Sequence, residues 1–134
     1  MPTLSLTFLD ETLTGNVLQS WEVIVETNVM PLKDLIMLRV EEEILRLQKQ
    51  QAEQYFTRIS NLSEAEKLLN PRKKFEKSET PDLEASGYRA LEAFKKQTYF
   101  VLVNDRQVED LEEKIALYPK TTVSFVRITP LVGG

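Results

Sequence analysis

The chain opens on strict alternation. Leu4, Leu6 and Phe8 are separated by Ser5 and Thr7, the period of a half-buried strand. A second alternating run sets Trp21, Val23 and Val25 on one face against Glu22, Ile24 and Glu26 on the other. Between them Asp10 to Asn16 is turn chemistry, with Gly15-Asn16 suited to positive φ. Two such runs joined by a Gly-containing loop predict an antiparallel β-hairpin.

The period then lengthens. Pro31 suits the first turn of a helix, where its missing N–H costs nothing. Leu32, Ile36, Val40, Ile44 and Leu47 recur every three or four residues and form one apolar stripe, widened by Leu35. Arg39, Glu41, Glu42 and Arg46 fall away from its centre. No Gly or Pro interrupts the composition up to Ile59, so the helix is expected to be long.

Residues 50–97 hold most of the lysines and few β-branched residues, and read as a helical insertion. Ser63-Glu64-Ala65-Glu66 is a capping box before Lys67-Leu68-Leu69. Pro71 to Pro81 is polar, charged and expected to be mobile. Asp82 is placed to cap a further helix with Leu83, Tyr88, Leu91 and Phe94 on its apolar side; Gly87 weakens that helix by roughly 1 kcal/mol against Ala. The last third returns to strands. Tyr99–Val103 ends at the turn pair Asn104-Asp105. Val108, Leu111, Ile115 and Leu117 dot a loop-rich connection, and Thr121–Ile128 alternates Val123 and Phe125 with Ser124 and Val126 until Pro130 stops it. The chain then reads Leu131-Val132-Gly133-Gly134.

Composition narrows the chemistry. Among 134 residues there is no cysteine and no histidine. A disulfide framework, a thiolate nucleophile, a Cys/His zinc site and an imidazole base are therefore all excluded. The net charge of −4 argues against nucleic-acid binding. No apolar run approaches the roughly 18 residues of a spanning helix, and no basic segment leads into an apolar one. The expectation is one cytoplasmic domain over 1–134, with no resident cofactor and no metal. Glu42/Glu43 and Glu112/Glu113 are neighbours that point apart on a helix, which reads as solvated charge. Trp21 reads as core.

The order hairpin, helix, insertion, strand, loop, strand resembles that of the α+β β-grasp fold, a mixed sheet crossed by one helix. Asn104-Asp105-Arg106-Gln107-Val108-Glu109-Asp110 resembles the turn after the third strand of ubiquitin and of small sulfur-carrier proteins. Thr121 to Gly134 resembles their final strand and di-glycine tail, and Pro130 to Gly134 looks closest to the molybdopterin-synthase small subunit. Overall size and the insertion look more like the ubiquitin-like modifiers of bacterial conjugation operons. The resemblance covers about residues 1–48 and 98–134.

That resemblance implies a passenger rather than an enzyme. Gly134 would be the acyl donor, and Gly133, Val132 and Leu131 would thread the channel of an E1-like activating enzyme. Glycine lets the backbone approach the nucleotide closely. An E2-like conjugating enzyme, a deubiquitinase-like metalloprotease and a target protein would be the further partners, with antiviral defence the implied setting; neither nucleic acid nor a membrane is implied. Leu102, Val126 and Ile128 would share the outward face of the sheet as a recognition patch, unless the inserted helices cover that face. Lys49, Lys67, Lys73, Lys74, Lys77, Lys95 and Lys96 are open either as conjugation sites or as solvated surface. Two alternatives stand beside the modifier. One is a sulfur carrier forming a thiocarboxylate on Gly134. The other is a non-covalent assembly module pairing through edge strands at Trp21–Val25 or Tyr99–Val103.

Overall fold

The computed structural model describes residues 3–61 and 82–128. Strands β1 (Leu4–Thr12) and β2 (Val17–Val25) form the expected hairpin. It is longer than the alternation suggested. Only residues 13–16 turn, with Gly15 at φ 88°. Asp10 is not a turn residue; it lies inside β1, only 4% exposed, on the same parity as Leu4, Leu6 and Phe8. A β-bulge between Asp10 and Glu11 breaks the β1–β2 register near Val17.

A short β3 (Val29–Pro31) leads directly into α1 (Leu32–Asn61). Pro31 thus closes β3 instead of opening the helix. The first helical N–H groups, which have no intrahelical acceptor, find carbonyls in the later loop: Leu32 donates to Glu113 and Lys33 to Leu111, both at 3.0 Å. Helix α1 is unbroken for 30 residues, so its far end continues into the segment read as the insertion. Its stripe buries Leu32, Leu35, Ile36, Val40 and Ile44, while Leu47 is exposed because the helix has by then left the sheet's core.

Helix α2 (Leu83–Lys95) begins where expected. The Asp82 side chain accepts from the Glu84 N–H at 3.2 Å. Gly87 is buried against α1, and a Cβ there would overlap Sδ and Cε of Met37. The cost of glycine in this helix is therefore matched by a close helix–helix approach. The capping box at Ser63–Glu66 and the segment Pro71–Pro81 lie outside the described residues.

Strands β4 (Tyr99–Val103) and β5 (Arg106–Val108) form a second hairpin, turned by Asn104 and Asp105 at φ 49° and 70°. The left-handed conformation at both turn residues matches the twist of the strands. β6 (Lys114–Ala116) pairs with β3 in a separate two-stranded ribbon. The alternation gave no sign of this ribbon. β7 (Thr122–Arg127) completes the main sheet, whose order is β2-β1-β7-β4-β5. β7 is parallel to β1 and antiparallel to β4. The architecture is α+β, a mixed five-stranded β-grasp sheet crossed by one long helix, with a second helix beside it.

Leu6, Phe8, Val23, Val101, Val103, Val123 and Phe125 meet Leu32, Leu35 and Ile36 of α1 in one core. Trp21 sits at its margin, partly buried, with its ring edge-on to Phe8 at 6.1 Å.

Candidate functional site

β7 carries Val126, one of the expected site residues. It occupies the middle of the sheet, and its backbone is bonded on both sides. Ile128 follows it and donates its N–H to Thr98 O at 3.1 Å. Leu131, Val132, Gly133 and Gly134 lie outside the described residues, as do Lys67, Lys73, Lys74 and Lys77. Lys49, Lys95 and Lys96 are exposed.

The face of the sheet turned away from α1 carries an apolar band. Leu9 of β1 stands opposite Ser124 of β7, which stands opposite Leu102 of β4; one step on, Val126 lies between Glu11 and Phe100. Leu102 and Val126 therefore share this face, as the alternation implied. Val126 is only 5% exposed and forms the floor of the band rather than a raised patch. Leu9, Phe100 and Leu102 are half-buried around it. No alternation within a single strand marks Leu9 or Phe100; only the register brings both to the same band. Ile128 stands apart beyond the strand end, where it lines clefts beside Tyr99. Helix α2 does not cover the band. It packs on the α1 side, with Ala90, Leu91 and Phe94 against the core and Ala90 O accepting from Tyr99 Oη at 2.7 Å.

On the α1 side, a cleft of about 500 Å³ opens at the end of β7. Asp10, Ile36, Arg39, Tyr99, Arg127 and Ile128 line it. Arg39 is the residue the helical stripe misplaced. It turns toward the sheet, giving Nε to Asp10 Oδ1 at 2.9 Å and Nη2 to Oδ2 at 2.5 Å. Gln19 Nε2 adds a third bond to Asp10 at 2.5 Å, and Glu43 pairs with Arg39 at 2.6 Å. The guanidinium lies 6.0 Å from the Trp21 centroid and 5.7 Å from that of Phe125. Arg46 bonds Gln19 Oε1 and covers Trp21 at 4.6 Å. Burial works against the Arg39 charge, but the hydrogen bond and charge of Asp10, helped by Glu43, raise its pKa above the ordinary value.

Chemically, this arrangement is a clamp. Both Asp10 oxygens are occupied by donors, so this carboxylate is held as the acceptor of an ion pair. Glu112 and Glu113 lie in a turn rather than on a helix, and each meets a cation: Glu112 pairs with Lys33 at 3.0 Å and Glu113 with Arg106 at 2.8 Å. Among the described residues no cluster of three or more acidic side chains is arranged to hold a metal ion. No described helix is long and apolar enough to cross a membrane.

The chain matches no protein-family model, no curated protein and no solved structure.

Tyr99 reports on the cleft. Burial pushes its phenol from 10.0 up to about 12, while the charge of Arg39 pulls the other way. The folded protein therefore holds the proton where the unfolded chain releases it. This contribution to stability is complete below pH 10 and is lost as pH rises from 10 toward 12. Urea midpoints measured across that window should fall. Tyr99→Phe should flatten the fall, while costing about 1 kcal/mol at neutral pH for the lost bond to Ala90.

Proposed function

We propose that this chain is a ubiquitin-like protein modifier, activated at a C-terminal di-glycine by an E1-like enzyme and passed to an amine of a target protein. The observation that carries the reading is the placement of β7. It is the central strand, parallel to β1, and the sequence beyond it runs through Pro130 into Gly133-Gly134. A rigid central strand fixes where a following tail starts, and a proline has no N–H to give to a sheet ladder. The body, with its Asp10–Arg39 clamp, is then a handle, and the chemistry belongs to the partner.

In the proposed first step a carboxylate oxygen of Gly134 attacks the α-phosphorus of ATP. An acyl-adenylate forms and pyrophosphate leaves. A partner nucleophile then attacks the acyl carbon and releases AMP. The band around Val126, Leu102 and Phe100 is an apolar surface on which the activating or E2-like conjugating enzyme would grip the body.

ATP–pyrophosphate exchange with the cognate activating enzyme tests this, using a chain that terminates at Gly134. Gly134→Ala should slow exchange by about 100-fold, because an added methyl blocks close approach. The fold should be unchanged. Mass spectrometry of the product separates the chemistries. An amide to lysine or another amine supports the modifier; replacement of one oxygen by sulfur on Gly134 supports a sulfur carrier. Exchange that survives deletion of Gly133-Gly134 removes both.

A further inference from the structure

The main sheet has two edges of very different character. β5 closes one with three residues. β2 forms the other with nine, and none of its backbone groups bonds to a described residue outside β1. A long free edge is usually blunted by lysine, proline or an inward charge. Val17–Val25 contains no lysine, arginine or proline, and its one charge is Glu22. The bulge that twists this edge sits at the Val17 end and leaves Gln19–Val25 regular. Ile24 is 65% exposed and Leu18 54%. The Tyr99–Val103 strand, the other edge foreseen from sequence, is internal, held between β7 and β5.

We propose that β2 is the seam of a homodimer, in which two copies pair antiparallel through this strand and join their sheets. The occupant is a second copy because one register lets the strand meet itself with its only charge opposite an uncharged polar residue. A two-fold axis normal to the sheet keeps α1 on the same side in both copies. Centred on Trp21, that axis sets Ser20 opposite Glu22 and Glu22 opposite Ser20, with Gln19 facing Val23 on the α1 side. Centring on Glu22 opposes like charges, which is destabilising. Centring on Val23 sets Glu22 against Ile24, and centring on Ser20 sets it against Leu18. Of these registers, only the one centred on Trp21 sets Glu22 against an uncharged polar residue. β1 separates β2 from β7, so the seam does not involve β7. The dimer is independent of the covalent chemistry proposed above.

Sedimentation velocity on the full chain should show a dimer that dissociates on dilution. Fluorescence of Trp21, the sole tryptophan, should change over the same concentration range. Ile24→Lys should weaken association at least tenfold while leaving the circular dichroism and melting temperature of the monomer intact, since residue 24 faces solvent. The absence of native cysteine allows a direct register test. Chains carrying Ser20→Cys, mixed with chains carrying Glu22→Cys, should form a mixed disulfide faster than either forms alone, because directly paired strand residues lie within disulfide reach. A monomer at every concentration overturns the proposal. So does a dimer indifferent to Ile24→Lys, or one in which the mixed disulfide is not the favoured product.

Discussion

Asp10→Ala should lower the free energy of unfolding by about 3 kcal/mol, the low end of what breaking a buried ion pair costs. The loss leaves Arg39, with only 17% of its side chain exposed, between two aromatic rings and without its bidentate partner. Glu43 still reaches the guanidinium, which keeps the cost from the top of the range. Gln19 also loses its acceptor. Replacing both charges, as Asp10→Leu with Arg39→Met, should restore most of the stability, because apolar packing of similar volume needs no compensating charge. Urea unfolding of Asp10→Leu, of Arg39→Met and of the double variant gives the coupling directly. Equal losses in the double variant and in Asp10→Ala would mean that the pair is not the source.

Phe8→Ala should cost about 3–5 kcal/mol, the range for a large aromatic side chain removed from a core. Phe8 is fully buried in β1, between Trp21 on β2 and Phe125 on β7, with ring centroids at 6.1 and 5.4 Å. It is the side chain through which the hairpin and the last strand hold each other. Neither neighbour can collapse into the space without leaving its own strand. A shift in the denaturant midpoint, with unchanged slope, is the expected reading; a loss under 1 kcal/mol would show that Trp21 and Phe125 close the gap.

The elements with a strong period were legible from the residues alone. The inward parity of Leu6 and Phe8, of Val23 and Val25, and of Val101, Val103, Val123 and Phe125 is the parity of the core. The α1 stripe, widened by Leu35, named five of the helix residues that are buried, and Asp82 marked the start of α2. What escaped was written in contacts rather than in periods. β3 and β6 are three residues each and hold together only because they meet each other. Asp10 looked like a turn residue because its charge suggested solvent. Its position, two residues after Phe8 on the inward parity, was the available signal. Arg39, next to Val40 and one turn from Ile36, was the matching cation. Gly87 carried no visible purpose until Met37 lay against it. Of the candidate site, the apolar band emerged only when β1, β7 and β4 were laid side by side.

The central place of β7 also governs when this molecule becomes a folded object. β1 is made first, yet one of its two partners is β7, the last strand of the main sheet to be made. Until residues 122–127 are synthesised, β1 and β4 each carry an open edge, and the core lacks Val123 and Phe125. Contacts of such long sequence separation form slowly. The first hairpin and α1 are synthesised early, but an isolated hairpin is marginal in water, and the sheet closes only after β7 is released. A chain broken off before β7 stays open and aggregation-prone, a natural substrate for proteolytic clearance. Completion of the body is thereby coupled to synthesis of the strand that carries the tail.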